Sequence, residues 1–317
     1  MKLRKYQNRI INELINKPNV CLSVGMGLGK TAAVLHFLEE TRRRYPFFKA
    51  LIVAPKRVAE TVWIQEAEKW QLWNLASSMC LVAGSKAEKE RKSAPSYTAN
   101  VKVVGRDNVK LFEGQEFNIL IIDELTSFKN LKAQRTKDLL SIKADRKIGM
   151  TGTFAPNGLI DIFAQLAVLD IADAGPNNGN FWSWLGRYFQ DLNAGRGVPY
   201  KRYVLRSGET AESVVAMWRD KILTLTTEDY LELPPMIEQV VTFQLSPAER
   251  KAYDGMVSSL HFELPDLDDF TVSEKARFAK IQTLASGFVY DTDGEYGEPG
   301  GVIRIGDASS RVSLAVD

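Results

Sequence analysis

The chain has 317 residues, 45% of them apolar and 25% charged, with a formal net charge of +2. That is enough for one large domain or two smaller ones, in the composition range of soluble globular proteins. No run approaches the ~18 apolar residues of a membrane span. The two cysteines, Cys21 and Cys80, supply neither a disulfide framework nor a cysteine metal motif.

The start, MKLRKYQNRIINEL, reads as a charged amphipathic segment rather than a secretory leader. A reducing cytoplasm with no membrane partner is the expected setting. His36 and His261 stand alone, and a single histidine builds no metal site. From Phe37 to Lys110 the chain carries 14 Lys/Arg against 8 Asp/Glu, and from His261 to Asp317 5 against 11. The basic stretch suits a phosphate backbone. On charge alone, a solvated surface is the better account.

Six short apolar runs predict strands buried on both faces: Val20 to Gly25, Ala50 to Pro55, Met79 to Ala83, Val101 to Val104, Asn118 to Asp123 and Lys147 to Gly152. Helical patterns lie between several of them. One runs from Lys56 to Trp70, where Ala59, Trp63, Ala67 and Trp70 share a side. Strands alternating with helices predict an α/β fold with a parallel central sheet between two helical layers. In such sheets ligands gather at the carboxyl ends of the strands. The loops after Gly25, Ala54, Val104, Asp123 and Met150 are therefore expected on one rim.

Beyond Asn157 the pattern changes. Leu159 to Leu169 reads as an apolar helix, DAGPNNGN (173–180) as a joint, and FWSWLGRYF (181–189) as part of an inserted helical subdomain. Those aromatics could stack on bases, but their helical spacing favours core packing. Met236 to Leu245 alternates like a strand. Ser246 to Glu249 reads as a capping box with proline at the first helical position, and Thr271 to Glu274 repeats the cap. Tyr290 to Gly301, rich in glycine and acid, reads as a loop or linker.

The stretch SVGMGLGKTAAV (23–34) ends a strand and opens a helix, the context of a P-loop. Glycines let backbone amides curl around oxygen atoms, and the helix N-terminus adds positive charge. Lys30 would reach the β- and γ-phosphates and the Thr31 hydroxyl would ligate Mg²⁺. The strict pattern wants glycine where Val24 stands, with Gly25 as an extra flexible point. LIIDELTSF supplies the second half of such a site, since four apolar residues deliver Asp123 and Glu124 to a strand end. Asp123 would meet the metal, and Glu124 would deprotonate a water.

MxLRxYQ, GMGLGKT, LIVAPKRVAETVWIQEAEKW, IIDELTSFKN and MTGTFAPNGLIDIFAQLAVLD occur in the order found in superfamily 2 helicase-like ATPases. The wording resembles the Swi/Snf branch, in the compact form carried by phages and prophages. The likeness is strong from about Leu3 to Leu169 and looser from Thr224 to Met256.

This resemblance implies a RecA-like first lobe using ATP and Mg²⁺ in a bacterial or phage-infected cell. Gln7, with Arg4, would recognise adenine. Gly27, Leu28, Gly29, Lys30 and Thr31 would bind phosphates, with Thr31 and Asp123 on the metal. Lys30, Asp123 and Glu124 would be catalytic, and Thr151, Gly152 and Thr153 would couple hydrolysis to strand contact. Lys56, Arg57, Arg106, Asn108, Lys129 and Asn130 fall where the family touches double-stranded DNA.

Three departures stand out. Leu125-Thr126 replaces the second half of the DExH or DEAD box, and Phe154 replaces the proline of Thr-Gly-Thr-Pro. No Gln-x-x-Gly-Arg-x-x-Arg motif occurs. The expected organisation is a RecA-like lobe over 1–170, a helical insertion and remaining lobe elements over 171–289, and a linker over 290–317 toward a second lobe supplied in cis or in trans. The expected function is the first motor lobe of a DNA-dependent translocase, slow by itself. The alternative is a non-catalytic, nucleotide-dependent DNA- or protein-binding module.

Overall fold

The computed structural model describes residues 2–152, 154–155, 158–172, 181–195, 201–227, 229–230, 244–245, 247–259, 261–264, 267–271, 281, 285, 288–290 and 302–304. Contacts divide the chain into two units, Met1–Leu233 and Pro234–Asp317.

The first unit opens with helix α1 (Lys5–Asn16), strand β1 (Asn19–Val24), helix α2 (Lys30–Arg44) and strand β2 (Ala50–Ala54). Helices α3 (Lys56–Thr61), α4 (Trp63–Lys69) and α5 (Trp73–Ser77) lead to β3 (Met79–Val82), α6 (Lys86–Ser93) and β4 (Val101–Gly105). A 3-10 turn precedes β5 (Glu116–Asp123), followed by α7 (Gln134–Leu140), β6 (Lys143–Thr151) and α8 (Asp161–Ala167). An insert of α9 (Phe181–Tyr188), β7 (Phe189–Asp191), β8 (Tyr203–Leu205) and α10 (Ala211–Val215) returns the chain to β9 (Ile222–Leu225).

The seven strands of the main sheet run in the order β3-β4-β2-β5-β6-β1-β9. Every ladder between them is parallel. A parallel sheet must be covered on both faces, and alternate residues of each strand serve opposite sides. Val20, Leu22 and Val24 of β1, with Ile119 and Ile121 of β5, pack with α1 and α2 residues such as Leu14, Leu35 and Leu38. Cys21, Leu120 and Ile122 join Phe128, Phe163 and Leu166 on the other side. Each such side chain, once buried, contributes on the order of 2 kcal/mol. Gly149 of β6 belongs to this packing, because a Cβ there would lie 2.7 Å from Leu125 Cδ2 and 2.8 Å from Leu169 Cδ1.

Register then levels the strand ends. Ser23 pairs with Thr151, Val24 with Leu225, and Asp123 with Met150. The carboxyl tips of β1, β5, β6 and β9 therefore end side by side, which makes the rim that the alternating pattern implies.

The six predicted strands are all present, in a three-layer α/β/α arrangement. The helix expected over 56–70 is two helices, with Val62 (φ −110°, ψ −56°) between them. Strand β9 is a seventh, edge strand that the apolar runs did not announce. The insert holds a two-stranded hairpin, β7 with β8, beside its helices. Its aromatics form a core, with Trp184, Tyr188 and Phe189 buried against Phe163 and Trp218, while Trp182 is 61% exposed.

The second unit contains α11 (Pro247–Ser259) and the antiparallel pairs β10 (His261–Leu264) with β11 (Leu267–Thr271), and β12 (Phe288–Tyr290) with β13 (Val302–Arg304). Helix α11 begins at Pro247, the proline placed first in the helix by the capping pattern. The joint at 173–180, most of the strand expected over 236–245, the Ser246 cap, the cap residues 272–274 and the loop 291–301 lie outside the described residues.

Candidate functional site

The glycine turn between β1 and α2 is built on two left-handed residues. Gly27 has φ +78° and Gly29 φ +71°, a region that strains a residue carrying a Cβ. Gly29 caps α2. A Cβ there would also strike the side-chain amide of Gln7.

Gln7 is buried and links the start of α1 to the turn. Its Oε1 accepts from the Arg4 backbone N–H at 2.8 Å, and its Nε2 donates to the Leu28 carbonyl at 3.3 Å. The side chain of Leu28 is buried in the core, so this residue faces the site only through its backbone. Arg4, Gln7, Gly27, Gly29, Lys30 and Thr31 all line one cleft of about 430 Å³.

Lys30, the first residue of α2, folds back on the turn. Its Nζ donates to the carbonyls of Val24 at 2.7 Å and Gly25 at 3.1 Å. Burial pulls its pKa down, while the charges of Asp123 and Glu124 pull it up. The lysine and both acids thus lie within electrostatic reach of one another.

Asp123 ends β5. Burial pushes its carboxyl up to about 6; the hydrogen bond from Trp63 lowers it, Glu124 raises it, and Lys30 lowers it. The Trp63 bond runs from Nε1 to Oδ2 at 3.2 Å. A divalent cation at this buried carboxylate would offset the cost that burial places on its ionised form. Glu124 has φ +57°, uncommon for a residue with a side chain, and accepts from the Thr126 hydroxyl at 2.6 Å.

The end of β6 adds a further segment to the rim. Thr151, at the end of β6, is buried. A Cβ on Gly152 would lie 3.3 Å from the Met26 Cγ, so the segment after β6 runs close beside the glycine turn. Thr153 lies outside the described residues.

The residues expected at a nucleic-acid backbone divide into groups. Lys56 and Arg57 are exposed at the start of α3, after β2. Lys56 and Asn108 line one cleft of about 340 Å³ with Lys89, whose Nζ donates to Asn108 Oδ1 at 3.4 Å. Arg106 turns instead toward the segment after Asp123, donating to Ser127 Oγ at 2.7 Å. Lys129 pairs with Asp161 at 3.5 Å, and the Asn130 side chain accepts from the Lys132 backbone at 2.9 Å.

Sequence reasoning missed two contributors. Trp63 carries a helical-face signal that reads as core, and it is core, but its indole N–H also reaches Asp123. Thr227, after β9, donates to the Met26 carbonyl at 3.3 Å and carries no local signal at all.

The profile of the SNF2-related domain matches residues 6–288. Protein p41 of Acyrthosiphon pisum secondary endosymbiont phage 1 is 29% identical over 304 residues, which is 92% of this chain and 65% of that protein. The DNA annealing helicase and endonuclease ZRANB3 of Bos taurus is 26% identical, over 79% of this chain and 23% of its own length. The fold also matches the Sulfolobus solfataricus SWI2/SNF2 ATPase core solved in complex with dsDNA, with a TM-score of 0.56 and 16% identity, covering 99% of this chain and 64% of that one. The chain thus spans about two thirds or less of the length of these relatives. With the profile running through the glycine turn, the acid pair and the insert alike, this chain belongs to the SNF2-related domain family.

Proposed function

We propose that this chain is the ATP-binding first motor lobe of a DNA-dependent, helicase-like double-strand DNA translocase. The observation that carries the reading is the placement of Lys30 on the carbonyls of the left-handed glycine turn, within electrostatic reach of Asp123 and Glu124. Backbone amides of the turn and the Lys30 ammonium would grip the triphosphate. Gln7, already fastened to Leu28 and Arg4, would set the wall on the adenine side. The Thr31 hydroxyl and Asp123 would hold Mg²⁺, which supplies positive charge to the phosphate oxygens when bound. Glu124 would take the proton from the attacking water. Thr151, Gly152 and Thr153 would carry the coupling role, supported by the Gly152–Met26 contact.

Double-stranded DNA as the track is supported by family membership and by the duplex bound to the Sulfolobus relative. Lys56 and Asn108 are the best-placed backbone contacts, because they share one rim cleft. A second RecA-like lobe, in cis or in trans, would supply the arginines that close over the γ-phosphate. Such a finger contributes 10³- to 10⁵-fold in comparable P-loop enzymes, so these 317 residues alone would turn over slowly.

The test is steady-state ATP hydrolysis with and without duplex DNA, for this chain and for a version joined to a second lobe. Slow turnover by the chain and DNA-stimulated turnover by the joined version are expected. Brisk DNA-stimulated turnover by the chain alone overturns the single-lobe reading, and no ATP binding by either overturns the nucleotide site.

A further inference from the structure

The first half of the glycine turn is held by a strand that lies some 200 residues away in sequence. Val24 pairs with Leu225 of β9, and the Gly25 N–H donates to the Leu225 carbonyl at 2.9 Å. Just beyond, the Thr227 hydroxyl donates to the Met26 carbonyl at 3.3 Å. Gly25 owes its identity to this approach. A Cβ there would collide with the Thr227 hydroxyl and lie 2.9 Å from the Thr227 backbone nitrogen.

The consequence follows from peptide geometry. All peptide bonds described here are trans, so the C=O of residue 26 and the N–H of residue 27 point in opposite directions. Holding the Met26 carbonyl toward Thr227 therefore turns the Gly27 N–H away from Thr227. Gly27 lines the cleft that also holds Gly29, Lys30 and Thr31. On the neighbouring peptide, Gly25 O accepts from Lys30, which fixes the Met26 N–H in the same manner. With φ at +78°, Gly27 has no side chain to hold its own conformation, so an outside tether is what sets its amide.

We propose that Thr227 is a positioning residue for nucleotide binding: its hydroxyl, with the Leu225 carbonyl, latches the front of the glycine turn so that the Gly27 amide is presented to a phosphate oxygen. The inference rests on the nucleotide reading above. It names a residue outside the glycine turn and the acid pair, and it gives Gly25 a function that the turn's own pattern does not. It also means that β9, reached only after the insert, bears directly on the phosphate site.

The experiment measures Mg–ATP affinity, kcat and KM, and melting temperature for the full chain and three Thr227 and Gly25 variants. Thr227→Val keeps the volume and removes the hydroxyl. It is expected to weaken Mg–ATP binding about fivefold, the effect of one net hydrogen bond, with KM raised, kcat held and melting unchanged. Thr227→Ser, which keeps the hydroxyl, is expected to restore affinity. Gly25→Ala, whose Cβ would displace the Thr227 hydroxyl, is expected to weaken affinity at least as much. Thr227→Val binding within twofold of the parent overturns the latch, as does failure of Thr227→Ser to rescue. Lys30→Ala runs alongside. If it too leaves affinity unchanged, the nucleotide reading fails; if it abolishes binding while Thr227→Val does not, only the latch fails.

Discussion

The indole N–H of Trp63 donates to the Asp123 carboxylate across 3.2 Å, tying the first residue of α4 to the last residue of β5. It lowers the pKa of a carboxyl that burial has pushed up from 3.8 to about 6. A folded-state value above the unfolded one means that the folded protein holds this proton more tightly. The stability it contributes is full below the unfolded value and is lost as pH rises through about 6. Above that point the ionised Asp123 destabilises the fold by on the order of 2–3 kcal/mol. Asp123→Asn is therefore expected to melt higher than the parent near neutral pH, to lose that advantage in acid, and to lose hydrolysis throughout. Mg²⁺-dependent nucleotide affinity of the parent should fall as pH drops through about 6, with Trp63→Phe moving that midpoint upward. Titration of nucleotide binding and thermal melting against pH reads both.

Lys30 rests on two carbonyls of the half-buried turn, those of Val24 and Gly25. Water can replace the ammonium there, so Lys30→Ala is expected to change stability by less than about 1 kcal/mol. It removes a cation from the proposed phosphate site, and charge-assisted hydrogen bonds are the strong ones. A loss of about 100-fold in Mg–ATP affinity is expected, read by calorimetry beside an unchanged circular dichroism spectrum.

Glu124 sits at φ +57°. Glu124→Gln keeps the shape and removes the proposed base. It is expected to bind Mg–ATP within a few-fold of the parent and to slow hydrolysis by about 10²–10⁴. Glu124→Gly adopts the same backbone without steric cost and removes a negative charge from beside Asp123. Its melting temperature is expected to equal or exceed that of Glu124→Gln, with hydrolysis equally lost. A lower melting temperature would show that the side chain holds the loop through Thr126.

Lys56 and Lys129 were equal candidates on sequence, and the structure separates them. Lys56 is exposed and lines the cleft with Asn108, whereas Lys129 pairs with Asp161 at 3.5 Å. Each phosphate contact contributes about −0.9 to the slope of log affinity against log salt. Lys56→Ala is expected to reduce the slope for duplex DNA by about one, and Lys129→Ala by clearly less. Fluorescence anisotropy across a salt series distinguishes them, and equal effects would place Lys129 on the backbone as well.

Six of the seven strands of the main sheet, and the candidate residues of the site, were legible in the sequence alone. Short continuous apolar runs such as Ile119 to Ile122, too short for a helix and bounded by polar residues, read as strands covered on both faces, and glycines followed by Lys30 and Thr31 at a strand-to-helix turn have few other uses. These are local signals, set by residue type and short spacing. Tertiary structure decided what depends on register and distant approach. Val62 separating α3 from α4, the indole of Trp63 on Asp123, the amide of Gln7 against Gly29, and Arg106 turning to Ser127 all arise from which surfaces meet. β9 escaped notice because ILTL is four residues long, and an edge strand is defined by its neighbour as much as by itself. Gly25 shows the division most clearly: its presence is visible in the chain, but its reason is Thr227, which only the pairing of β1 with β9 brings beside it.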